Sequence, residues 1–214
     1  MLCILVVNSK SRFLLESSVS RGSFVLLTGL CVVSSASDGA SPVGFPHASV
    51  FLIMKHLFSS GFLAREGITY GKLSHSREIV FGPALVVAYD LEKNIARYPR
   101  IIVSAQMIEI FKYRGIDDDI YLDFDGYYCC DYLYDMVDDA WLYDVERPGK
   151  GAYYIRKIKE KISEGYNEAS FNTINKYEYM KYYFNKSVDK LNRGGSLSEL
   201  IFKDIKSEQF ENLV

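Results

Sequence analysis

Apolar residues along the chain follow first a strand-like and then a helix-like spacing. Phe24–Val33 is a continuous apolar run, bounded by Gly22 and by the polar stretch Ser34–Pro42, and it predicts one buried strand followed by a loop. Helical spacing follows over Ala48–Phe58, and Gly61 lies where a helix terminator is expected. The apolar positions of this helix are Val50, Ile53, Met54, Leu57 and Phe58.

The next stretch predicts a strand, a turn, a returning strand and a helix. Leu63–Leu73 alternates and is rich in Ile, Thr and Tyr, Ser74–Arg77 is polar, and Glu78–Phe81 is a short second strand. A helix is expected to open at Gly82-Pro83, because proline at the first helical position has no N–H to leave unsatisfied. Its apolar stripe consists of Leu85, Ala88, Leu91 and Ile95.

The remaining chain predicts one more strand and a helical tail. Arg100–Ser104 has the composition of a buried strand, and Ala105–Tyr113 suits a short helix. Asp117–Glu146 is acidic and rich in tyrosine, but it lacks EF-hand spacing, so we expect a solvated acidic face rather than a Ca²⁺ site. Residues 150–165 and 172–192 have helical periodicity. We expect most of the tyrosines to be half-buried, with the hydroxyl at a polar edge.

This order of elements predicts an α+β fold. Mixed or antiparallel strands with helices on one face fit a ferredoxin-like core whose first strand is missing or divergent. We expect residues 1–113 to form this core. Residues 114–214 would add the acidic, tyrosine-rich segment and a C-terminal helical extension packed on the core.

Composition excludes several classes of protein. The chain has 214 residues, 49% of them hydrophobic and 24% charged, which is typical of a soluble globular protein. A net charge of -2 gives no electrostatic reason to expect nucleic acid as a partner. No apolar run approaches the roughly 18–20 residues of a membrane span, so we expect a cytoplasmic protein with no membrane partner. The cysteines lack metal-site spacing and are expected to be reduced; they are Cys3, Cys31, Cys129 and Cys130.

A signal peptide is the alternative to a cytoplasmic location. Lys10, Arg12 and Arg21 precede the apolar run, and Ser34–Ser37 could serve as a small-residue cleavage site. The positively charged region would be unusually long, and the same apolar run suits a buried strand equally well.

Several blocks of sequence, in order, resemble class III nucleotide cyclases, and most closely the bacterial pyrimidine cyclases of Pycsar antiphage systems. The blocks are R-E-G-I-T-Y-G, F-G-P-A with A-Y-D-L-E, Y-P-R-I, L-D-F-D-G and K-Y-E-Y-M-K-Y-Y-F-N. The resemblance covers Leu63 to Asn185.

The resemblance implies a homodimer with a nucleoside triphosphate bound between the subunits. The 3′-hydroxyl would attack the α-phosphate and expel pyrophosphate to give a 3′,5′-cyclic nucleotide. Two divalent ions, Mn²⁺ or Mg²⁺, would be held by two aspartates, one ending the first core strand and one in a Ser-Asp pair of the following hairpin.

The metal ligands of that pattern are not found at their family positions. No aspartate precedes Asp38, so the first ligand has no counterpart. If Phe24–Val33 supplies the hairpin strand, the Ser-Asp position falls on Gly29-Leu30, and the second ligand is lost as well. In a shifted alignment Ser37-Asp38 would supply it, which makes Asp38 a weak candidate metal ligand.

The other functional positions of the family are only partly matched by residues of this sequence. Ile79 occupies the position where purine cyclases recognise the base, and Val86 and Asp90 replace the residues that stabilise the transition state there. This argues against adenylate or guanylate cyclase. The side chains expected near substrate are Arg65 and Tyr70, with Gly82 at the helix start; packing for Tyr70 and a surface ion pair for Arg65 are the alternatives.

The sequence therefore predicts a nucleotide cyclase that converts CTP or UTP to a cyclic monophosphate and pyrophosphate, as a second messenger in antiphage defence. No residue can be assigned to catalysis. The alternatives are a catalytically degenerate dimerisation or nucleotide-binding module and a cyclase truncated at its N-terminus.

Overall fold

The computed structural model describes residues 2–8, 23–27, 30–36, 46–75, 79–146, 151–191 and 197–205. The chain divides into two compact units, residues 1–130 and 131–214. This division lies later than the predicted boundary at residue 113, because two short strands beyond that residue belong to the sheet of the first unit.

The described strands of the first unit are β1 (Leu2–Asn8), β2 (Ser23–Leu27), β3 (Leu30–Ala36), β4 (Glu66–Gly71), β5 (Ser74–His75), β6 (Val80–Phe81), β7 (Ile101–Val103), β8 (Ile120–Leu122) and β9 (Tyr128–Cys130). Seven of them form a mixed sheet with the order β2-β3-β1-β4-β7-β9-β8. Strands β4 and β7 are parallel, whereas the other neighbouring strands are antiparallel. A separate antiparallel ribbon is formed by β5 and β6.

The helices of this unit agree with the apolar periodicity. They are α1 (Pro46–Ser59), α2 (Pro83–Asp90), a π-helical turn (Leu91–Ile95), α3 (Ala105–Arg114) and a 3₁₀ turn (Asp117–Asp119). The predicted start at Pro83 is confirmed. Ser104 caps α3 by accepting a hydrogen bond from the Met107 N–H, and Gly115 ends it at φ 65°. The predicted α+β class is confirmed.

One prediction for the N-terminal part was wrong. Phe24–Val33 is not one strand, because β2 ends at Leu27 and β3 returns antiparallel from Leu30. Leu2–Asn8 supplies a strand, β1, between β3 and β4, which the sequence pattern had not predicted.

The second unit is helical. It contains α4 (Tyr132–Glu146), α5 (Gly151–Asn167), α6 (Ile174–Leu191) and a 3₁₀ turn (Ser198–Leu200). Helices α5 and α6 match the two predicted ones, whereas α4 lies in the acidic segment for which no helix was predicted. Within the described ranges, no helix combines the length and apolar character that crossing a membrane requires.

Arg100 is a fully buried cation at the start of β7. Its Nη1 donates to Asp123 Oδ2 at 2.6 Å and to Asp125 Oδ1 at 2.9 Å, and its Nη2 bonds the second oxygen of Asp125. The guanidinium carbon also lies 5.6 Å from the centre of the Tyr98 ring and 5.8 Å from that of Phe124. The Y-P-R-I and L-D-F-D-G blocks thus bind each other inside the first unit.

The acidic segment is not a uniformly solvated face, as the sequence suggested. Asp123 is buried against Arg100, and Asp131 is buried at the start of the second unit. There the Tyr183 hydroxyl donates to Asp131 Oδ1 at 3.1 Å and Lys190 Nζ donates to Oδ2 at 2.8 Å. Burial nevertheless raises the pKa of Asp131. Part of the acidic composition therefore serves internal packing.

We expect Arg100→Met to destabilise the first unit by about 3–5 kcal/mol, because it leaves the buried Asp123 carboxylate without its cation. The matched control is Lys112→Met, which removes an exposed cation 3.5 Å from Glu109 and should cost at most about 1 kcal/mol. Urea unfolding followed by circular dichroism measures both. Equal midpoints for the two variants would contradict a structural role for Arg100.

Candidate functional site

Strand β4 and helix α2 approach each other closely at two glycines of the strand. A Cβ atom placed on Gly67 would lie 2.3 Å from the Ala88 carbonyl oxygen, and one on Gly71 would lie 3.0 Å from the Ala84 Cβ. Both alanines are buried, with Leu73, Val80 and Leu85 packed around them. The two glycines of the R-E-G-I-T-Y-G block therefore allow the helix to pack closely against the strand.

Gly82 determines how the chain enters α2. Its φ of 146° is favourable only for glycine, and a Cβ there would lie 2.6 Å from the Lys72 carbonyl oxygen. Pro83 follows at the helix start, and the Ala84 N–H donates to the same Lys72 oxygen at 3.3 Å. Contact of Gly82 with a substrate stays a prediction. The structural role of Gly82 is to allow the start of α2 to contact the backbone just after β4.

Arg65 forms an ion pair. Its Nη2 lies 2.9 Å from Glu92 Oε1, and the Glu92 side chain is 2% exposed whereas that of Arg65 is 30% exposed. Glu92 belongs to the π-helical turn that continues α2. This agrees with the ion-pair interpretation of Arg65, although its partner is buried rather than at the surface.

Tyr70 is half-buried near the end of β4, opposite Cys3 of β1. Side chains alternate along a strand, so Tyr70 lies on the face opposite to Gly67 and Gly71, whereas Arg65 reaches Glu92 beside α2. The structure thus does not bring the predicted substrate residues Arg65 and Tyr70 together on one face of β4.

Asp38, the candidate metal ligand, lies outside the described residues. Strand β3 starts at Leu30 and ends at Ala36, and the choice between the two alignments of the hairpin aspartate stays a prediction. Among the residues that the structure describes, no group of three or more His, Cys, Asp or Glu side chains could hold a metal ion.

An exposed apolar surface surrounds the start of α2 and was not predicted. It consists of Ile79 (60% exposed), Phe81 (61%), Val86 (59%), Val87 (38%) and Tyr89 (38%), and is called the α2 apolar surface below. A signal existed in the sequence, since the predicted stripe through Leu85 and Ala88 leaves the two adjacent valines on the outer side of the helix.

Glu66, at the start of β4, is a second feature that sequence reasoning missed. Its side chain is fully buried, and within the described part of the chain neither carboxylate oxygen has a hydrogen-bond partner. Its neighbours across the sheet are Val7 of β1 and Ile101 of β7. Burial raises the pKa of Glu66 well above its usual value, so the neutral acid is the stable form over a wider pH range.

Comparison of the chain with protein-family models, with curated proteins and with solved structures found no match.

We expect Gly67→Ala to lower the free energy of unfolding by about 1–3 kcal/mol, since the new methyl group meets a backbone carbonyl. Gly71→Ala is the matched control on the same face of β4, where the methyl meets only another methyl group at 3.0 Å, and its loss should be smaller. Thermal unfolding compares the two. A Gly67→Ala variant as stable as the native chain would rule out the close approach of helix and strand.

We expect Glu66→Gln to gain stability relative to the native chain as pH rises. The folded pKa of Glu66 is raised, so the native state binds more protons than the unfolded state above pH 4.5, and stability falls as pH rises towards the folded pKa. The glutamine variant cannot lose a proton in this way, so its stability does not fall for this reason. Urea unfolding between about pH 5 and 8 measures the difference in unfolding free energy between the variant and the native chain, and Glu109→Gln, at a side chain that is 76% exposed, is the control for the substitution itself. If the difference for Glu66→Gln does not change with pH, the burial of an unpaired carboxyl group is contradicted.

Proposed function

We propose that this protein is a nucleotide cyclase of the class III type, which converts CTP or UTP to the 3′,5′-cyclic monophosphate and pyrophosphate as a second messenger in antiphage defence. The observation that carries the proposal is the contact of β4 with α2. There the glycines of the family's strand block and the Gly82-Pro83 helix start each have a geometric role.

The strand order supports the same proposal. A ferredoxin-like βαββαβ core places its first strand between its third and fourth strands. Strand β1 lies between β3 and β4 in this sheet, and all three neighbouring pairs of β2-β3-β1-β4 are antiparallel. The parallel strand β7 then extends this set beyond β4.

The proposed reaction breaks one phosphoanhydride bond and forms one phosphoester. The 3′-hydroxyl oxygen attacks the α-phosphorus in line with the departing pyrophosphate, and the hydroxyl proton is released. In the family, divalent ions such as Mn²⁺ or Mg²⁺ neutralise the phosphate charge. The described residues supply no such site, and Asp38 is the remaining candidate ligand.

A homodimer is part of the proposal. The five side chains of the α2 apolar surface come from α2 and from residues 79–81 just before it, and all are exposed. Exposed apolar surface is where interaction sites are found. A second copy of the chain is the proposed occupant, which would place a nucleoside triphosphate between two copies of the β4–α2 unit.

A second candidate function is a catalytically silent dimerisation or nucleotide-binding module. Two observations favour it. Arg65 is bound to the buried Glu92 rather than free to contact phosphate, and the described residues contain no metal-binding group.

The full chain should be incubated separately with ATP, GTP, CTP and UTP in the presence of Mn²⁺, and the products identified by mass spectrometry. We expect a cyclic monophosphate from CTP or UTP and none from the purine nucleotides. If no nucleotide gives product, the cyclase proposal fails. Nucleotide binding by calorimetry, or a dimer in solution, would then support the silent module.

The role of the α2 apolar surface is tested by Val86→Lys. We expect this variant to be monomeric by analytical ultracentrifugation and to lose any cyclase activity, because a charge in the interface prevents apolar association. Leu122→Lys is the matched control, since Leu122 is similarly exposed (55%) but lies on β8. A native chain that is itself strictly monomeric would contradict the dimer.

A further inference from the structure

The segment Leu197–Ile205 is bound to helices α5 and α6 of the second unit. Asn185 on α6 pairs with both backbone groups of Phe202: its Nδ2 donates to the carbonyl oxygen at 2.9 Å, and its Oδ1 accepts from the N–H at 2.8 Å. Lys159 on α5 donates to the neighbouring Ile201 carbonyl oxygen at 2.9 Å. Three hydrogen bonds thus hold the backbone of Ile201 and Phe202, directly after the 3₁₀ turn Ser198–Leu200, independently of their side chains.

The same two helices also recognise a side chain of the segment. Phe202 is 8% exposed, and its ring packs edge-on against Phe184 with a centroid distance of 5.5 Å. The amines of Lys159 and Lys181 lie 5.0 and 5.4 Å from the centre of this ring. An aromatic residue at this position therefore fills an apolar site with cations at its rim.

A carboxylate two residues later completes the contacts. Lys181 Nζ lies 2.7 Å from Asp204 Oδ2. The Lys181 side chain is almost buried and its amine lies 3.5 Å from the centre of the Tyr166 ring, whereas Asp204 is 64% exposed. The hydrogen bond from Lys181 lowers the pKa of Asp204. The buried partner of this ion pair belongs to the helices and the exposed one to the segment, as expected for a site and its ligand.

We propose that the α5–α6 face is a peptide-recognition groove, and that Leu197–Ile205 occupies it as an exchangeable strap. The groove recognises a peptide with an aromatic residue followed, two positions later, by an acidic one. Contacts to peptide backbone, one aromatic side chain and one carboxylate form the combination that such grooves use. The proposal is independent of the cyclase proposal, because all of its residues belong to the second unit.

A strap tethered close to its groove has a high effective concentration, so a free peptide competes poorly with it. Weakening the strap while keeping the groove intact should therefore expose the site. Phe202→Ala does this, because it removes the aromatic side chain from the strap and leaves Asn185, Lys159 and Lys181 unchanged.

The experiment measures fluorescence anisotropy of a labelled peptide with the sequence of residues 197–205 added to the full-length chain. We expect the Phe202→Ala chain to bind this peptide at least tenfold more tightly than the native chain does. Phe171→Ala is the matched control, since Phe171 is 92% exposed and the same substitution there should leave binding as in the native chain. Adding Asn185→Ala to Phe202→Ala should abolish binding, and so should replacing the phenylalanine or the aspartate of the peptide by alanine.

If Phe202→Ala fails to fold by circular dichroism, Asp204→Lys weakens the strap instead. This substitution sets a lysine against Lys181 at an exposed position and creates no cavity. Absence of peptide binding to a folded strap variant would overturn the proposal, because the segment would then be a fixed structural part. Equal binding of the native and alanine-substituted peptides would overturn the proposed specificity.

Discussion

The close approach of β4 to α2 is the constraint on which the organisation of the first unit depends. With glycine at positions 67 and 71 and alanine at 84 and 88, the helix approaches the strand so closely that a Cβ atom on either glycine would meet it. The helix continues into a π-helical turn that contains Glu92, and Glu92 forms an ion pair with Arg65. This ion pair joins the residue before β4 to the turn that follows α2. The outer side of α2 is left apolar and exposed.

Two buried charged groups in the same unit differ in how they are satisfied. Arg100 lies between two carboxylates and two aromatic rings, so its desolvation is offset by charge-assisted hydrogen bonds and ring contacts. Glu66, in the adjacent strand, has no hydrogen-bond partner among the described residues, and burial raises its pKa, which favours the neutral acid. Arg100 therefore stabilises the junction of β7 with the β8–β9 hairpin, whereas Glu66 makes stability depend on pH.

Several tyrosines of the second unit lie in its interior. Tyr132, Tyr179 and Tyr183 are almost completely buried, and the rings of Tyr132 and Tyr183 pack edge-on at 5.6 Å. The Tyr183 hydroxyl finds a partner in Asp131, which joins the start of α4 to α6. Aromatic residues with a polar tip thus combine packing with specific connections between helices.

The sequence by itself determined the elements whose cause is local. Apolar periodicity predicted α1, α5 and α6, proline chemistry predicted the start of α2 at Pro83, and alternation predicted β4. Only the tertiary structure decided the features that depend on residues distant in the chain. It showed the place of Leu2–Asn8 in the sheet, the binding of Arg100 by two aspartates, the burial of Glu66, and the strap on α5 and α6. The residues next to a carboxylate or an amide in the sequence are the same whether its side chain faces water or a buried partner. The partner is determined by how distant segments pack, and the neighbouring sequence does not show it.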